Sequence, residues 1–498
     1  MGVLGLTSVL AKECPQVLKE LPTRFKALAG KTVVIDATLF TIRFHLTRNP
    51  LPSRHIYAWY RLVSKLRADN VKVICVFDGK ERHEAKKPEL QRRKQTRDLT
   101  TARKELEYQR SQRLDMLLPT LHEIRGLPET DQPVIQRRLS EFMIRYHPKE
   151  KGRASPTSGQ VNNGEVVSEK FDMKPMLDEL EQISPPTKVV GKDKIEHLTV
   201  ALTSAYRSFQ ESAEHAAAPS PETDADPSPG RSASKNQHQL SAEESVQWQK
   251  LLMNVDEACL GFQQLLVRSE ELYESYQRRT DLPTDQTFAE SRELLVAMGI
   301  PCVQSEAPYE GEGLASAIAL AGHADYVASE DTDVIVYGAP LLRGLTNQAK
   351  PLVLIDSQDI ITALTMTREE FIDFALLIGT DFTQRLHKVG PVAALKHTRK
   401  YGSIPRILEN EKKIQLSNDP VIYLEQVEVA RQIFTSLPPV PSPDELVQRE
   451  GDEERVSAII HNAGLSRSIL DLSEDEIIPA FSEEAPFGED VFGDKPQA

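Results

Sequence analysis

Two apolar runs that each close on an aspartate, VVIDATLF at 33–40 and VKVICVFDGK at 71–80, constrain the fold more than any other feature of the chain. Both are short and rich in β-branched residues, so they read as strands buried on both faces. The intervening HIYAWYRLVSKLRADN carries apolar residues at helical spacing. Strand, amphipathic helix, strand is a βαβ unit with parallel strands. Ligands gather at the carboxyl ends of strands in such sheets, so Asp36 and Asp78 are placed to share one site.

After Asp78 the rhythm breaks. KKPELQRRKQTRDLTTARKELEYQRSQRLDMLLPTLHEI predicts a long charged helix, and RLSEFMIRYHP a second that ends at Pro148. Residues 150–240 turn rich in Ser, Pro, Gly, Asn and Ala, a composition that cannot offset its ordering entropy by burial. It predicts disorder broken by one helix near 191–213, and a fold indifferent to deletion of 155–240. Helical period resumes at 242–279 with a stripe of Val246, Leu251, Leu252, Val255, Phe262, Leu265 and Leu266, expected to pack against 100–125. From 286 the α/β rhythm returns: helix ESRELLVAMG, strand PCVQ, helix GLASAIALAG, then DYVAS, VIVYG and LVLID as strands. Residues 368–402 read helix, loop, helix, with Gly390-Pro391 opening the second helix. The expected parts are therefore 1–100 and 286–367 as two halves of one α/β core, 101–285 as a helical insertion largely disordered at 150–240, 368–440 as a helical module, and 441–498 as an acidic flexible tail.

With 498 residues, 40% of them hydrophobic, the chain can bury one large core and carry an appendage. No apolar stretch approaches the 18 or so residues of a membrane span, and the N-terminus lacks a signal-peptide pattern. A soluble intracellular protein is expected. Cys14, Cys75, Cys259 and Cys302 are scattered without metal spacing, which suits a reducing compartment. The net charge of −14 is segregated: residues 80–113 hold twelve Lys/Arg against six Asp/Glu, and residues 441–498 hold fifteen acids against four bases. Polyanion binding depends on such local patches, not on the sum.

Five more acids stand beside Asp36 and Asp78: Glu310 and Glu312 flank one Gly, Asp331 and Asp333 flank one Thr, and Asp381 follows an apolar helix. Residues two apart do not share a helix face, so each pair is expected on a turn or helix start that fans both side chains toward one centre. Carboxylates brought together repel and raise one another's pKa unless hard cations compensate. An all-oxygen set selects Mg²⁺, with Mn²⁺ as substitute. Two such ions support in-line phosphodiester hydrolysis.

These segments, together with GIPCVQSEAPYEGEG (299–313), ADYVASEDTDVIVYG (324–338), FALLIGTDF (374–382) and the opening MGVLGLTSVL, resemble the flap-endonuclease/XPG family of structure-specific DNA nucleases over about 1–93 and 286–405. The resemblance implies a PIN-like α/β core with a central mainly parallel sheet, a helical arch, and a helix–two-turn–helix that holds duplex DNA through phosphates and a K⁺ ion. It implies that Asp36, Asp78, Glu310, Glu312, Asp331, Asp333 and Asp381 coordinate or orient two Mg²⁺ ions, and that Lys86 and Arg93 are the catalytic basic pair at the scissile phosphate. DNA contacts are expected from Gly2, Arg48, Lys80, Lys87, Arg92, Lys94, Lys388 and Gly390. The chain departs from the family pattern in three places: Ile42 stands where relatives stack a nucleobase, Lys388 replaces the first Gly of the hairpin turn, and no sliding-clamp motif ends the chain. A monomer acting on branched or flapped DNA in the nucleus, or alternatively the mitochondrion, is expected.

Two other functions fit parts of the pattern. A catalytically silent scaffold or RNA-binding regulator could use the same fold, although such a protein would be expected to have lost several of the acids. A nucleotide-sugar transferase needs a D-x-D but not the other five acids.

Overall fold

The structure is a computed structural model that describes residues 2–47, 51, 53–146, 191–217, 234–347, 349–383, 386, 389–414, 416 and 419–465. The chain forms two compact units, one of residues 1–96 with 281–498, the other of residues 97–280.

The first unit is built on a seven-stranded sheet: β1 (Leu18–Leu21), β2 (Thr32–Asp36), β3 (Lys72–Phe77), β4 (Cys302–Gln304), β5 (Tyr326–Ala328), β6 (Leu341–Arg343) and β7 (Leu352–Ile355), in the order β1-β7-β6-β5-β2-β3-β4. Strands β6, β5, β2, β3 and β4 run parallel, while β7 is antiparallel to both β6 and β1. This is the mainly parallel α/β sheet expected. The middle of β2 is buried on both faces. Val34, Ile74, Val76 and Val327 enter one core with Leu314 and Phe374, and Val33, Ile35, Val73, Cys75 and Phe77 enter the other with Trp59 and Leu294. The register sets Asp36 opposite Val76, so the ends of β2 and β3 deliver Asp36 and Asp78 to the same edge of the sheet.

Three expectations meet a different structure. VIVYG forms not a strand but the helix Asp333–Tyr337, ended by Gly338 at φ 100. Val334, Ile335 and Val336 are all buried, so an apolar run enclosed on every side carries no alternation to distinguish helix from strand. The Asp331 Oδ1 atom decides the matter by accepting the backbone N–H of Asp333 at 2.9 Å. Part of the segment expected to be a flexible tail from 441 is packed: helix Glu453–Asn462 buries Val456 and Ile460 in the same core as Trp59, and Gln448 accepts the N–H of Val73. Residues 466–498 lie outside those described. Strands β1 and β6 were not expected at all.

In the second unit, helix Lys87–Arg125 from residue 97 onward, with Gln132–Arg145, Lys192–Ala217, Lys235–Leu251 and Val255–Thr280, encloses a core centred on Trp248, which contacts the rings of Tyr206, Phe209 and Phe262. The expected stripe at 242–279 breaks into two helices. Val246 is 45% exposed and leaves the core, while Trp248 enters it. Within the stretch expected to be disordered, residues 150–190 and 218–233 lie outside those described. The one helix expected near 191–213 is Lys192–Ala217, and it buries Ile195, Leu198, Leu202, Tyr206 and Phe209 in this core. Deleting it removes one wall of this core, so indifference to deletion of 155–240 does not follow.

Candidate metal centre

The seven acids arrive from five chain segments. Asp36 ends β2 and caps the helix Ala37–His45, its Oδ1 accepting the N–H of Leu39 at 3.0 Å. Its Oδ2 accepts the Ser329 hydroxyl at 3.0 Å, and that hydroxyl accepts the N–H of Asp331. Asp78 is fixed by its own N–H to the Thr38 hydroxyl at 2.7 Å. Glu310 and Glu312 open the helix Gly311–Leu320, where the helix dipole favours negative charge. The N–H of Gly311 reaches Asp78 Oδ1 at 2.8 Å, and a Cβ at Gly311 would lie only 2.9 Å from that oxygen. Asp331 and Asp333 occupy the turn before and the start of helix Asp333–Tyr337. Asp381 sits in the turn after helix Arg368–Ile378.

Three basic side chains enter this group. The Lys86 ammonium lies 2.8 Å from Glu310 Oε1 and 3.1 Å from Asp381 Oδ2, and is buried. Arg93 reaches Asp381 Oδ2 at 2.7 Å and Glu89 at 2.8 Å. Arg82 reaches Asp78 Oδ1 at 2.8 Å. Burial alone would lower the pKa of Lys86, but Glu310 and Asp381 outweigh it and hold the ammonium charged. Burial would likewise raise Asp381, yet Lys86 and Arg93 bring it below the ordinary carboxylate range.

Asp36, Glu312 and Asp333 are less compensated. Burial, then the charge of Asp78, pushes Asp36 up to about 7. Burial raises Glu312 strongly, reinforced by Asp78, Asp36 and Asp331, and raises Asp333 strongly, reinforced by Asp331 and Asp381. Every one of the seven is thus tied to the others through charge. Two buried oxygens, Glu312 Oε2 and Asp333 Oδ1, have no hydrogen-bond partner. Hard anionic oxygens in excess, with two left unsatisfied, fit a divalent cation. Among the described residues, no three His, Cys, Asp or Glu side chains are drawn together into a ready-made cage. The fit therefore lies in the donor chemistry and the unsatisfied oxygens.

Gly2 also belongs to this place: its φ is 81, and a Cβ there would fall 2.2 Å from Asp331 Oδ1. Lys80, Lys87, Arg92 and Lys94 are exposed around the start of helix Lys87–Arg125, with Lys87 paired to Glu84 and Arg92 to Glu89. Gly390 precedes helix Pro391–Tyr401. Arg48 and Lys388 lie outside the described residues. Ile42 lies within helix Ala37–His45, where Phe40 and Phe44 are buried against Trp59, so neither ring offers a stacking face. Arg82, Thr38 and Ser329 escaped the sequence reading. None of them had a distinguishing sequence pattern: Arg82 stands four residues after Asp78, but in a connection and not on a helix.

Residues 1–100 match the XPG N-terminal domain and residues 299–381 the XPG I-region. Among curated proteins, flap endonuclease 1 of Methanosphaerula palustris is 36% identical over 186 residues, covering 35% of this chain and 51% of that protein. An uncharacterised protein of Schizosaccharomyces pombe is 36% identical over 169 residues, covering 32% and 34%. The chain spans about half or less of the length of these relatives. Among solved structures, flap endonuclease-1 from Methanococcus jannaschii superposes with TM-score 0.44 at 16% identity, covering 96% of this chain and 95% of that one. The catalytic core of Rad2 in complex with DNA substrate gives 0.46 at 14%, covering 96% and 98%. No helix among the described residues is long and apolar enough to cross a membrane.

Proposed function

We propose that this chain, which matches the XPG N-terminal domain over residues 1–100 and the XPG I-region over residues 299–381, is a divalent-metal-dependent, structure-specific DNA nuclease that hydrolyses phosphodiesters at single-strand/double-strand junctions. The observation that carries the reading is the gathering of seven acids from five segments with two buried oxygens unsatisfied. Asp36, Asp78, Glu310, Glu312, Asp331, Asp333 and Asp381 would hold or orient two Mg²⁺ or Mn²⁺ ions. When bound, such ions supply an activated water and charge to stabilise the attacking and leaving oxygens of an in-line displacement.

The protein's own groups do the positioning. Lys86 and Arg93 stay cationic beside Asp381 and would donate to a phosphate whose charge grows in the transition state. Ser329 and Thr38 orient Asp36 and Asp78 by hydrogen bonds. Lys80, Lys87, Arg92 and Lys94 would take the backbone of the nucleic acid, an interaction that weakens steeply with salt. A K⁺ ion at the turn before Pro391, a single-chain enzyme and a nuclear site of action complete the proposal.

The test is product analysis. End-labelled 5′-flap, bubble and nicked duplexes are incubated with purified protein in Mg²⁺ and in EDTA. Metal-dependent cuts at the junction support the nuclease; DNA that is bound but left intact in every condition supports the silent scaffold instead.

A further inference from the structure

Asp78 Oδ1 accepts two donors, the N–H of Gly311 and Nη1 of Arg82, each at 2.8 Å. The Gly311 donor is backbone at the start of a helix and cannot leave without unwinding that turn. The Arg82 side chain, by contrast, is 31% exposed and comes from the connection between β3 and the next helical turn. On the nuclease reading above, we propose that Arg82 is a built-in competitor for the divalent cation at Asp78, which the cation displaces and which then grips a phosphate oxygen of the substrate.

The three basic residues at the acid group hold different positions. Lys86 is 9% exposed and bridges Glu310 and Asp381; Arg93 shares itself between Asp381 and Glu89. Arg82 meets a different acid, Asp78, and feels Glu310 and Glu312 as well. A guanidinium and a dication drawn to one carboxylate repel each other, so filling one place weakens the other. Gly79 limits how far the displaced side chain can travel. Its N–H binds the Ser305 hydroxyl at 3.0 Å, and a Cβ there would sit 2.5 Å from the Ser305 carbonyl oxygen. Arg82 thus remains tethered three residues from a fixed backbone point. A planar guanidinium fork suits a phosphate better than an ammonium does.

The experiment compares the full chain with R82A and R82K by calorimetric titration with Mn²⁺, and by binding of a 5′-flap duplex in Ca²⁺. R82A is expected to bind Mn²⁺ at least threefold tighter and the flap at least threefold weaker, with R82K between it and the wild type on both. Unchanged or weaker Mn²⁺ binding by R82A overturns the competition. Tighter Mn²⁺ binding with unchanged flap affinity overturns the release to phosphate. If R82A melts at a lower temperature, R82Q measured in the same way decides between these outcomes. A wild-type chain that binds no Mn²⁺, with D78N no different, brings down the nuclease reading itself and not this inference alone.

Discussion

The two units bury carboxylates in opposite ways. In the helical unit, Glu244 is fully buried and receives Arg113 at 3.1 and 3.0 Å, with Arg110 at 3.3 Å. Glu107, equally buried, receives Arg110 at 2.6 Å and the Ser269 hydroxyl at 2.9 Å. Two acids face two guanidinia there, and Arg110 and Arg113 also reach Ser241 and Ser212. In the α/β unit, seven acids face Lys86, Arg82 and Arg93. Buried charge that is balanced and hydrogen-bonded specifies how helices pack; buried charge in excess is a cost the fold bears for a ligand. The same residue type therefore reads as structure in one unit and as chemistry in the other.

This contrast can be broken most forcefully at Asp331 and Asp333. The D331N/D333N double variant is expected to lose cleavage by about a thousandfold or more, the several kcal/mol that charge stabilisation by metal supplies. It should keep flap binding within a few-fold and melt no lower than the wild type, because it removes repulsion. Residual turnover near the wild-type rate would take both residues out of the site.

The counterpart in the helical unit is E244A. It strands the buried Arg113 guanidinium and leaves Arg110 with Glu107 alone, and is expected to destabilise that unit by about 3–5 kcal/mol, with Mn²⁺ affinity unchanged. Chemical denaturation followed by Trp248 fluorescence in a W59F background, which removes the other tryptophan, checks it. A variant as stable as the wild type would show the network to be dispensable.

Titration sharpens the same contrast. Asp36 is raised by burial and by Asp78 to about 7, so its folded form holds a proton that the unfolded chain releases near the ordinary aspartate value of 3.8. Its contribution is full below the unfolded pKa and is lost as pH rises through about 7. Glu312 and Asp333 act in the same direction, while Asp381, depressed by Lys86 and Arg93, loses its contribution only as pH falls below the ordinary carboxylate range. Between pH 5 and 8 the metal-free protein is therefore expected to lose stability, and Mg²⁺ to restore more melting temperature at pH 8 than at pH 6. Equal metal effects at the two pH values would count against excess carboxylate.

The smallest expected effect lies at the exposed basic residues. K87A, which loses only a solvent-exposed pair with Glu84, is expected to leave the melting temperature unchanged and to weaken flap binding mildly, with a slightly shallower salt dependence in a filter-binding series.

The acids were legible in the sequence because each ends an apolar run or brackets a turn, as at Asp36 and Glu310. The parallel order of β2 and β3 followed from their double-sided burial. Arg82 was not singled out, because a basic residue in a basic stretch has no distinguishing pattern until Asp78 is seen beside it. The helix at Val334–Val336 was misread because burial on all sides erases periodicity. The packed segment at 441–465 was hidden by its acid-rich composition, although Val456 and Ile460 stand four apart on one helix face.

The most direct test of the central claim is a Mn²⁺ titration at pH 7.5 of the wild type, D331N/D333N and E244Q, followed by the loss of the free-ion paramagnetic signal. Saturable binding by the wild type and by E244Q, abolished in D331N/D333N, is the predicted result. Binding that is absent from the wild type, or untouched by the double variant, would contradict the assignment of the excess carboxylates to a metal.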